Sequence, residues 1–416
     1  MSYAVRTLDG QLDQLLEAAP AIAIEGPKGV GKTATAMRRA TTAWLLDDPD
    51  QRRLLESDAS LLEHAEGTQL VDEWQRLPQV WDVVRRRVDA GALPGSYLLT
   101  GSASPASAEG THSGAGRILS LRMRPMALHE RDLVKPTVSL SRLLEGAAGA
   151  ITGSSSLTSA DYFEEIVASG LPGIRGLTSL LREDMLEAYL QRVIDRDLPD
   201  LGFRARRPET LRRWLTAYAA ASSSTTKYAE ILDATTSGDG YQPTKATTIT
   251  YRDHLTQLWL LDPIPGWSPS SNPFARLQQA PKHNLADPAL AARLLNLNAV
   301  TLGSPRGAHM AGRLFESLAA LSVRVAAQAA RGRVGHLRTR NGDHEVDLIV
   351  EGRAGQVLGI EVKLTAAPDD RDVRHLLWLR DNLGDDVADL VVLTTGRHAY
   401  RRADGVAVVP LALLGE

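Results

Sequence analysis

The sequence predicts an α/β protein with a doubly wound parallel sheet at its N-terminal end, and two observations carry this prediction. Residues 1–135 alternate short apolar runs with helix-forming segments, which is typical of a parallel sheet with helical crossovers. A glycine-rich turn joins the first of these runs directly to a helix. The predicted strands are Ala21–Glu25, Ala43–Leu46, Thr68–Val71, Tyr97–Thr100 and Ile118–Leu121.

The glycine-rich turn matches a phosphate-binding loop. Every fixed position of the pattern G-x-x-x-x-G-K-[ST] is filled, by Gly26, Gly31, Lys32 and Thr33. In such a loop, backbone N–H groups and the following helix N-terminus bind phosphates. Lys32 would reach the β- and γ-phosphates, and the Thr33 hydroxyl would ligate Mg²⁺. We therefore predict a nucleoside triphosphate ligand, ATP before GTP. The predicted contacts are Gly26, Pro27, Lys28, Gly29, Val30, Gly31, Lys32, Thr33 and Ala34.

An acidic pair follows the third predicted strand. Asp72 is a candidate Mg²⁺ ligand, acting directly or through water. Glu73 is then placed to polarise the attacking water as a general base. Acidic residues also favour helix N-termini, and the two roles are compatible. At the end of the fourth strand, Thr100 or Ser102 is a candidate sensor of the γ-phosphate, and a plain strand-to-turn segment is the alternative.

The middle of the chain is predicted to be helical. Residues 136–205 combine a Gly/Ser/Thr-rich stretch with helical patterns, and we interpret them as a linker and a helical lid. Residues 206–275 contain three predicted helices followed by Leu258–Trp267, which resembles the strand and turn of a wing. This layout predicts a winged-helix-like domain, with a generic helical bundle as the alternative.

Residues 276–416 are predicted to form a second α/β domain that resembles the PD-(D/E)XK, or restriction-endonuclease-like, fold. Asp347 and Glu361 lie on predicted neighbouring strands, and Lys363 follows Glu361 on the same face. Glu316 lies on the preceding helix. Carboxylates in this arrangement would gather one or two Mg²⁺ or Mn²⁺ ions that activate water against a phosphodiester. A ladder of salt bridges across the two strands is the alternative.

Composition and charge limit the function classes. The 416 residues carry a net charge of −3, so DNA would have to contact a local basic face. Two arginine clusters are candidates for such a face, and solvated arginines are the alternative. They comprise Arg204, Arg206, Arg207, Arg212 and Arg213, and Arg331, Arg333, Arg338 and Arg340. There is no cysteine, which excludes disulfides and Cys-based zinc sites. No apolar run is long enough to span a membrane, and we expect a cytoplasmic protein.

Several segments together resemble a known family. GPKGVGKTATA, LVDEWQRLPQVW, YLLTGSAS and GRILSLRMRPMALHE occur in this order. This sequence is similar to the prokaryotic AAA-type ATPase family that carries a C-terminal domain of unknown function, and YFEEIVASGLPGI and YLQRVIDRDLPDLG resemble its middle region. The resemblance covers nearly the whole chain. It implies that Arg117 and Arg196 are candidate γ-phosphate or trans-acting arginines, and that the C-terminal domain is nuclease-like in fold without an assured activity.

These predictions together indicate a Mg²⁺-dependent ATPase that binds DNA or is stimulated by it. ATP binding or hydrolysis would then control DNA binding or remodelling. One alternative is an ATP-regulated, metal-dependent DNA nuclease, and another is a nucleotide-dependent switch that binds a protein partner and no DNA. A homo-oligomer follows if one of the arginines acts in trans. The predicted parts are residues 1–135, 136–205, 206–275 and 276–416.

Overall fold

The computed structural model describes residues 3–64, 66–102, 114–236, 242–269, 279–339 and 342–416. The chain forms two units. The first comprises Met1–Pro125 and Asp253–Leu260, and the second comprises Met126–Arg252 and Leu261–Glu416. The finer division into lid, winged helix and nuclease-like domain stays a prediction.

The first unit contains a five-stranded sheet in which every strand pair is parallel. Its order is β2-β3-β4-β1-β5. The strands are β1 (Ala21–Glu25), β2 (Thr42–Leu45), β3 (Gln69–Asp72), β4 (Tyr97–Gly101) and β5 (Leu119–Arg122). The helices are α1 (Thr7–Leu16), α2 (Lys32–Met37), α3 (Pro49–Ser57), α4 (Leu61–His64) and α5 (Gln79–Asp89). The predicted parallel sheet is confirmed.

The centre of this sheet is buried on both faces. All residues of β1, β3 and β4 are buried, which explains why these strands are continuous apolar runs rather than alternating ones. Trp74 and Trp81 pack at a ring-centroid distance of 4.6 Å within the same core. A rigid buried sheet therefore supports the loops that follow its strands.

The second unit begins with short strands and helices. Its elements before the large sheet are β6 (Val138–Ser139), α6 (Leu140–Leu144), β7 (Gly153–Ser154), α7 (Ser159–Val167), α8 (Pro172–Arg175), α9 (Ser179–Arg192), α10 (Leu198–Asp200), α11 (Pro208–Ala220), α12 (Tyr228–Asp233) and β8 (Gly266–Trp267). Helix α13 (Lys245–Gln257) begins in the second unit, and its residues from Asp253 onward belong to the first. A π-helical turn, Val193–Asp197, lies between α9 and α10. Thr158 caps α7 with a reciprocal hydrogen-bonded pair to Asp161, which explains where that helix begins.

Two extended segments follow α13 and pair with each other. Leu261 bridges Leu285, and Ile264 bridges Lys282, both in antiparallel register. Gly266–Trp267 then pairs in parallel with a strand of the large sheet. Three helices followed by paired segments remain compatible with the winged helix, which stays a prediction.

A mixed eight-stranded sheet forms the C-terminal part of the second unit, in the order β7-β13-β14-β12-β11-β10-β9-β8. The remaining elements are α14 (Pro288–Leu294), α15 (Ala299–Leu302), α16 (Ala308–Ala329), β9 (Arg333–Arg338), β10 (Glu345–Glu351), β11 (Val357–Val362), α17 (Asp370–Leu383), β12 (Val387–Thr394), β13 (His398–Arg401), β14 (Ala407–Pro410) and β15 (Leu414–Gly415). No helix in the described ranges is both long and apolar enough to cross a membrane.

Candidate functional site: a phosphate loop and a carboxylate–lysine cluster

The phosphate loop joins β1 to α2. Gly26, Gly29 and Gly31 have φ angles of 155°, 79° and 104°, all in the region that favours glycine. A Cβ atom at position 26 would lie 2.1 Å from the main-chain oxygen of Met123. The fixed glycines of the motif are therefore required by the turn and by a close backbone approach.

Lys32 is buried inside this loop. Its Nζ atom donates hydrogen bonds to the carbonyl oxygens of Gly26 at 2.8 Å and Pro27 at 3.0 Å. Burial lowers the pKa of Lys32 to about 8, while the carboxylates of Glu73 and Asp72 oppose the shift. The loop thus holds an ammonium group where an anionic phosphate would be bound.

Thr33 and Asp72, the two predicted Mg²⁺ ligands of the first unit, contact each other. The Thr33 hydroxyl donates to Asp72 Oδ1 at 2.7 Å, and the Thr100 hydroxyl donates to the same oxygen. β4 lies between β1 and β3, which explains how Thr100 reaches Asp72. Hydroxyl and carboxylate oxygens are ligands that Mg²⁺ accepts, usually with substrate phosphates and water completing its shell. The residues present therefore fit a nucleotide-bound Mg²⁺ ion.

Glu73 lies next to this pair, in a left-handed conformation with φ of 54°. Its Oε2 atom accepts hydrogen bonds from the Gln75 amide and from Ser102 Oγ, the latter at 3.5 Å. Left-handed backbone at a non-glycine residue is costly and concentrates at functional sites. Ser102, predicted as a phosphate sensor, contacts the candidate general base. Gln75 was not predicted, because an amide two residues after an acidic pair has no motif.

Glu25, directly before the loop, is a second residue that sequence reasoning missed. Its side chain is buried at the end of β1, and burial raises its pKa to about 7, although Ser120 and Arg122 lower it. Its Oε1 atom has no hydrogen-bond partner among the described residues. A carboxyl group near the phosphate loop therefore changes charge close to neutral pH.

The Glu25→Gln substitution is expected to stabilise the protein in alkaline but not in acidic solution. The folded state binds the Glu25 proton more tightly than the unfolded state, so wild-type stability falls as pH rises from about 4.5 through about 7. Glutamine is neutral throughout and escapes this loss. We expect a gain in unfolding free energy of about 3 kcal/mol near pH 8 and little near pH 5, measured by urea denaturation.

The exposed Glu17→Gln variant is the matched control and should behave like wild type at both pH values. An equal effect of Glu25→Gln at the two pH values would contradict a carboxyl that titrates near neutrality.

The two candidate arginines stay predictions. Arg117 is half-exposed and forms an ion pair with Asp89 at 2.9 Å. Arg196 is exposed on the π-helical turn of the second unit.

In the second unit, the four predicted nuclease residues lie close together. Glu316 is on α16, Asp347 on β10 and Glu361 on β11, with Lys363 just after that strand. Lys363 Nζ lies 2.7 Å from Glu361 Oε2 and 4.0 Å from Asp347 Oδ2. Asp347 also accepts a hydrogen bond from the backbone N–H of Val362 at 3.0 Å. The structure therefore brings the four side chains together, and their role as a nuclease site stays a prediction.

Lys282 is the member of this cluster that the sequence analysis missed. Its Nζ atom lies 2.8 Å from Glu316 Oε1, 2.8 Å from Asp347 Oδ1 and 3.4 Å from Glu345 Oε1. Its side chain is only 1% exposed. Nothing in the segment around Lys282 marks it as a site residue, because its partners lie on elements far along the chain.

The charges of the cluster differ from one carboxyl group to the next. Burial raises the pKa of Glu316 to about 8 and that of Glu361 well above its usual value. The ammonium groups of Lys282 and Lys363 outweigh burial at Asp347 and lower its pKa to about 2. The pKa of Lys282 is raised well above its usual value by the carboxylates. Asp347 is thus the charged partner of Lys282 at neutral pH.

The members of the two predicted basic clusters differ in exposure. Arg204, Arg206 and Arg207 are exposed. Arg212 forms an ion pair with Glu187 at 2.6 Å, and Arg338 donates to Thr225. Another predicted member, Arg340, lies outside the described residues.

The first unit combines a phosphate loop after one strand with an acidic residue at the end of another strand of an all-parallel sheet. These features are those of a P-loop nucleotide-binding fold. The family model for an AAA domain matches residues 18–131, so this part of the chain is similar to AAA domains. Two models of domains of unknown function match the rest of the chain, DUF8612 at residues 159–301 and DUF4143 at residues 311–414.

The chain is also similar to other proteins over nearly its whole length and to solved structures over part of it. Uncharacterized proteins of Mycobacterium tuberculosis and Mycobacterium bovis are each 26% identical, over 97% of this chain and 83% of their own. The Walker-type ATPase of Pyrococcus abyssi is 14% identical, with a TM-score of 0.40 over 69% of this chain and 94% of that one. AMPPCP-bound DnaA from Aquifex aeolicus is 12% identical, with a TM-score of 0.26 over 59% and 86%. The fold assignment rests on the sheet order and on the AAA model.

Proposed function

We propose that the protein hydrolyses ATP with Mg²⁺ and couples the nucleotide state to DNA binding. The observation that carries the ATPase proposal is the convergence of Lys32, Thr33 and Asp72 at one edge of the parallel sheet. The carboxyl ends of parallel strands meet at this edge, where ligands bind in such folds.

Each residue of the site has a role that its position supports. Lys32 would exchange its contacts with the loop carbonyls for phosphate oxygens, because a buried ammonium group is stabilised more by an anion than by a carbonyl dipole. Thr33 and Asp72 would hold Mg²⁺, which neutralises charge on the phosphates. Glu73, oriented by Gln75, would accept the proton of the attacking water.

The DNA part of the proposal depends on the arginines before α11. Arg204, Arg206 and Arg207 are exposed and lie within four residues of one another. Three adjacent exposed guanidinium groups bind phosphates through charge-assisted hydrogen bonds, independently of base sequence. In a chain with a net charge of −3, this local patch is where DNA would bind.

The DNA proposal predicts that duplex or single-stranded DNA stimulates ATP hydrolysis, and that replacing Arg204, Arg206 and Arg207 with alanine removes the stimulation. The DNA dissociation constant should rise with salt, and the triple variant should lower the slope of log K against log salt by about 3, about one for each lost phosphate contact. The rate of ATP hydrolysis with and without DNA measures the stimulation. Fluorescence anisotropy of a labelled oligonucleotide at several salt concentrations measures the slope.

A control variant removes exposed arginines elsewhere, Arg53 and Arg371. It should keep both the DNA stimulation and the salt slope. Hydrolysis that no DNA changes, together with no salt-dependent DNA retention, would instead favour a nucleotide switch with a protein partner.

A further inference from the structure

The carboxylates that resemble a nuclease metal site surround a lysine of the same chain. Lys282 Nζ contacts Glu316 and Asp347 at 2.8 Å each, and Glu345 at 3.4 Å. These three residues come from a helix and a neighbouring strand, which are the elements that the nuclease pattern assigns to metal ligands. An ammonium group thus occupies the space between the carboxylates.

Lys282 is held there from both ends. Its backbone N–H donates to the carbonyl oxygen of Ile264, and its carbonyl oxygen accepts from the Ile264 N–H, each at 2.9 Å. The side chain is 1% exposed, so the ammonium group is shielded from solvent. A lysine on a flexible surface segment would be displaced easily, whereas this one is part of the paired structure.

We infer that Lys282, and not a divalent metal ion, is the cation that Glu316 and Asp347 hold. A metal ion would compete with the ammonium group for the same carboxylate oxygens, because these oxygens accept hydrogen bonds from Lys282 at 2.8 Å, whereas a metal ion would need them at about 2.0–2.6 Å. In agreement, no group of three or more His, Cys, Asp or Glu side chains in the described ranges is arranged to hold a metal ion.

The charges of the cluster agree with this assignment. Burial raises the pKa of Glu316 to about 8 and that of Glu361 well above its usual value, which favours the neutral form of both groups. Lys282 forms ion pairs with Asp347 and Glu345, and Lys363 Nζ lies 2.7 Å from Glu361 and 4.0 Å from Asp347. The carboxyl groups of the cluster thus already have ammonium partners from this chain, and metal-assisted cleavage of nucleic acid at this site is not expected.

The test is Mn²⁺ binding by the nucleotide-free full-length protein, measured by electron paramagnetic resonance and by thermal unfolding. Wild type, Lys282→Ala and the double variant Lys282→Ala/Asp347→Asn all keep the same phosphate loop, so differences between them report on this cluster alone. We expect Lys282→Ala to bind one more Mn²⁺ per chain than wild type, and the double variant to lose it. Mn²⁺ should also raise the melting temperature of Lys282→Ala more than that of wild type.

The thermal measurement keeps the test decisive if Lys282→Ala is poorly folded without metal, because a metal that binds the cluster would then restore folding. Two results would overturn the inference. One is Mn²⁺ bound by wild type and lost in Asp347→Asn, and the other is a Lys282→Ala protein that neither binds nor is stabilised by Mn²⁺.

Discussion

Replacing Lys32 with alanine is expected to lower kcat for ATP hydrolysis by about 10²–10³-fold, the typical loss when one donor to transition-state charge is removed. The Lys32 ammonium lies within the loop that would wrap the phosphates, and its Nζ atom is 2.8–3.0 Å from two loop carbonyls. Alanine removes this charge where negative charge develops on the transferred phosphoryl group. Phosphate release at saturating ATP and Mg²⁺ measures the effect.

Arg53→Ala provides the matched control, since it also removes one positive charge from the first unit but at a side chain that is 72% exposed on α3. Its kcat should equal that of wild type. If Lys32→Ala retained more than about a tenth of wild-type kcat, the phosphate loop would not be the site of the chemistry, because a tenfold change corresponds to only about 1.4 kcal/mol.

The phosphate loop and the first sheet could be predicted because the residues that form each of them are close together in the sequence. The residues Gly26–Thr33 are contiguous, and the strand on one side and the helix on the other are visible as an apolar run and a helix-forming segment. Each predicted strand of the first sheet begins and ends within one residue of the observed one. Buried strands of a parallel sheet are continuous apolar runs, and such runs are easily recognised.

The features that could not be predicted depend on contacts between residues that are far apart in the sequence. Lys282 lies 34 residues before Glu316 and 65 before Asp347, so no spacing rule connects them. Glu25 is buried partly because β5, which begins at Leu119, pairs with β1. A pattern of charged residues can predict which side chains lie close together. It cannot predict their protonation states, because the pKa of a buried group depends on all the residues that surround it.

The second large expected effect is the loss of stability when the charged Asp347 of the carboxylate–lysine cluster is replaced by a neutral residue. Asp347→Asn is expected to lower the free energy of unfolding at pH 7 by about 3–5 kcal/mol, because it removes a charged carboxylate that lies 2.8 Å from the buried ammonium group of Lys282. The pKa of Asp347 is lowered to about 2, so its stabilising charge is present above pH ~4. It is lost as the pH falls through about 2.

Glu361→Gln should cost less than about 1 kcal/mol, although the nuclease pattern treats Glu361 and Asp347 alike. Burial raises the pKa of Glu361 well above its usual value, which favours the neutral carboxyl group, and glutamine keeps one acceptor for Lys363. The substitution therefore changes the charge of the cluster less than Asp347→Asn does. Urea denaturation at pH 7 gives the shift in unfolding free energy for both variants.

The exposed Asp385→Asn variant controls for the chemistry of the aspartate change and should leave the urea midpoint where it is. The contrast between the two cluster variants is the decisive quantity, since it separates a lysine-centred ion pair from a set of equivalent metal ligands. In a site where a metal ion balances several ionised carboxylates, both substitutions would act in the same direction and with similar size. Equal losses for Asp347→Asn and Glu361→Gln would therefore mean that Glu361 is ionised in the folded protein and that Lys282 is not the dominant cation of the cluster.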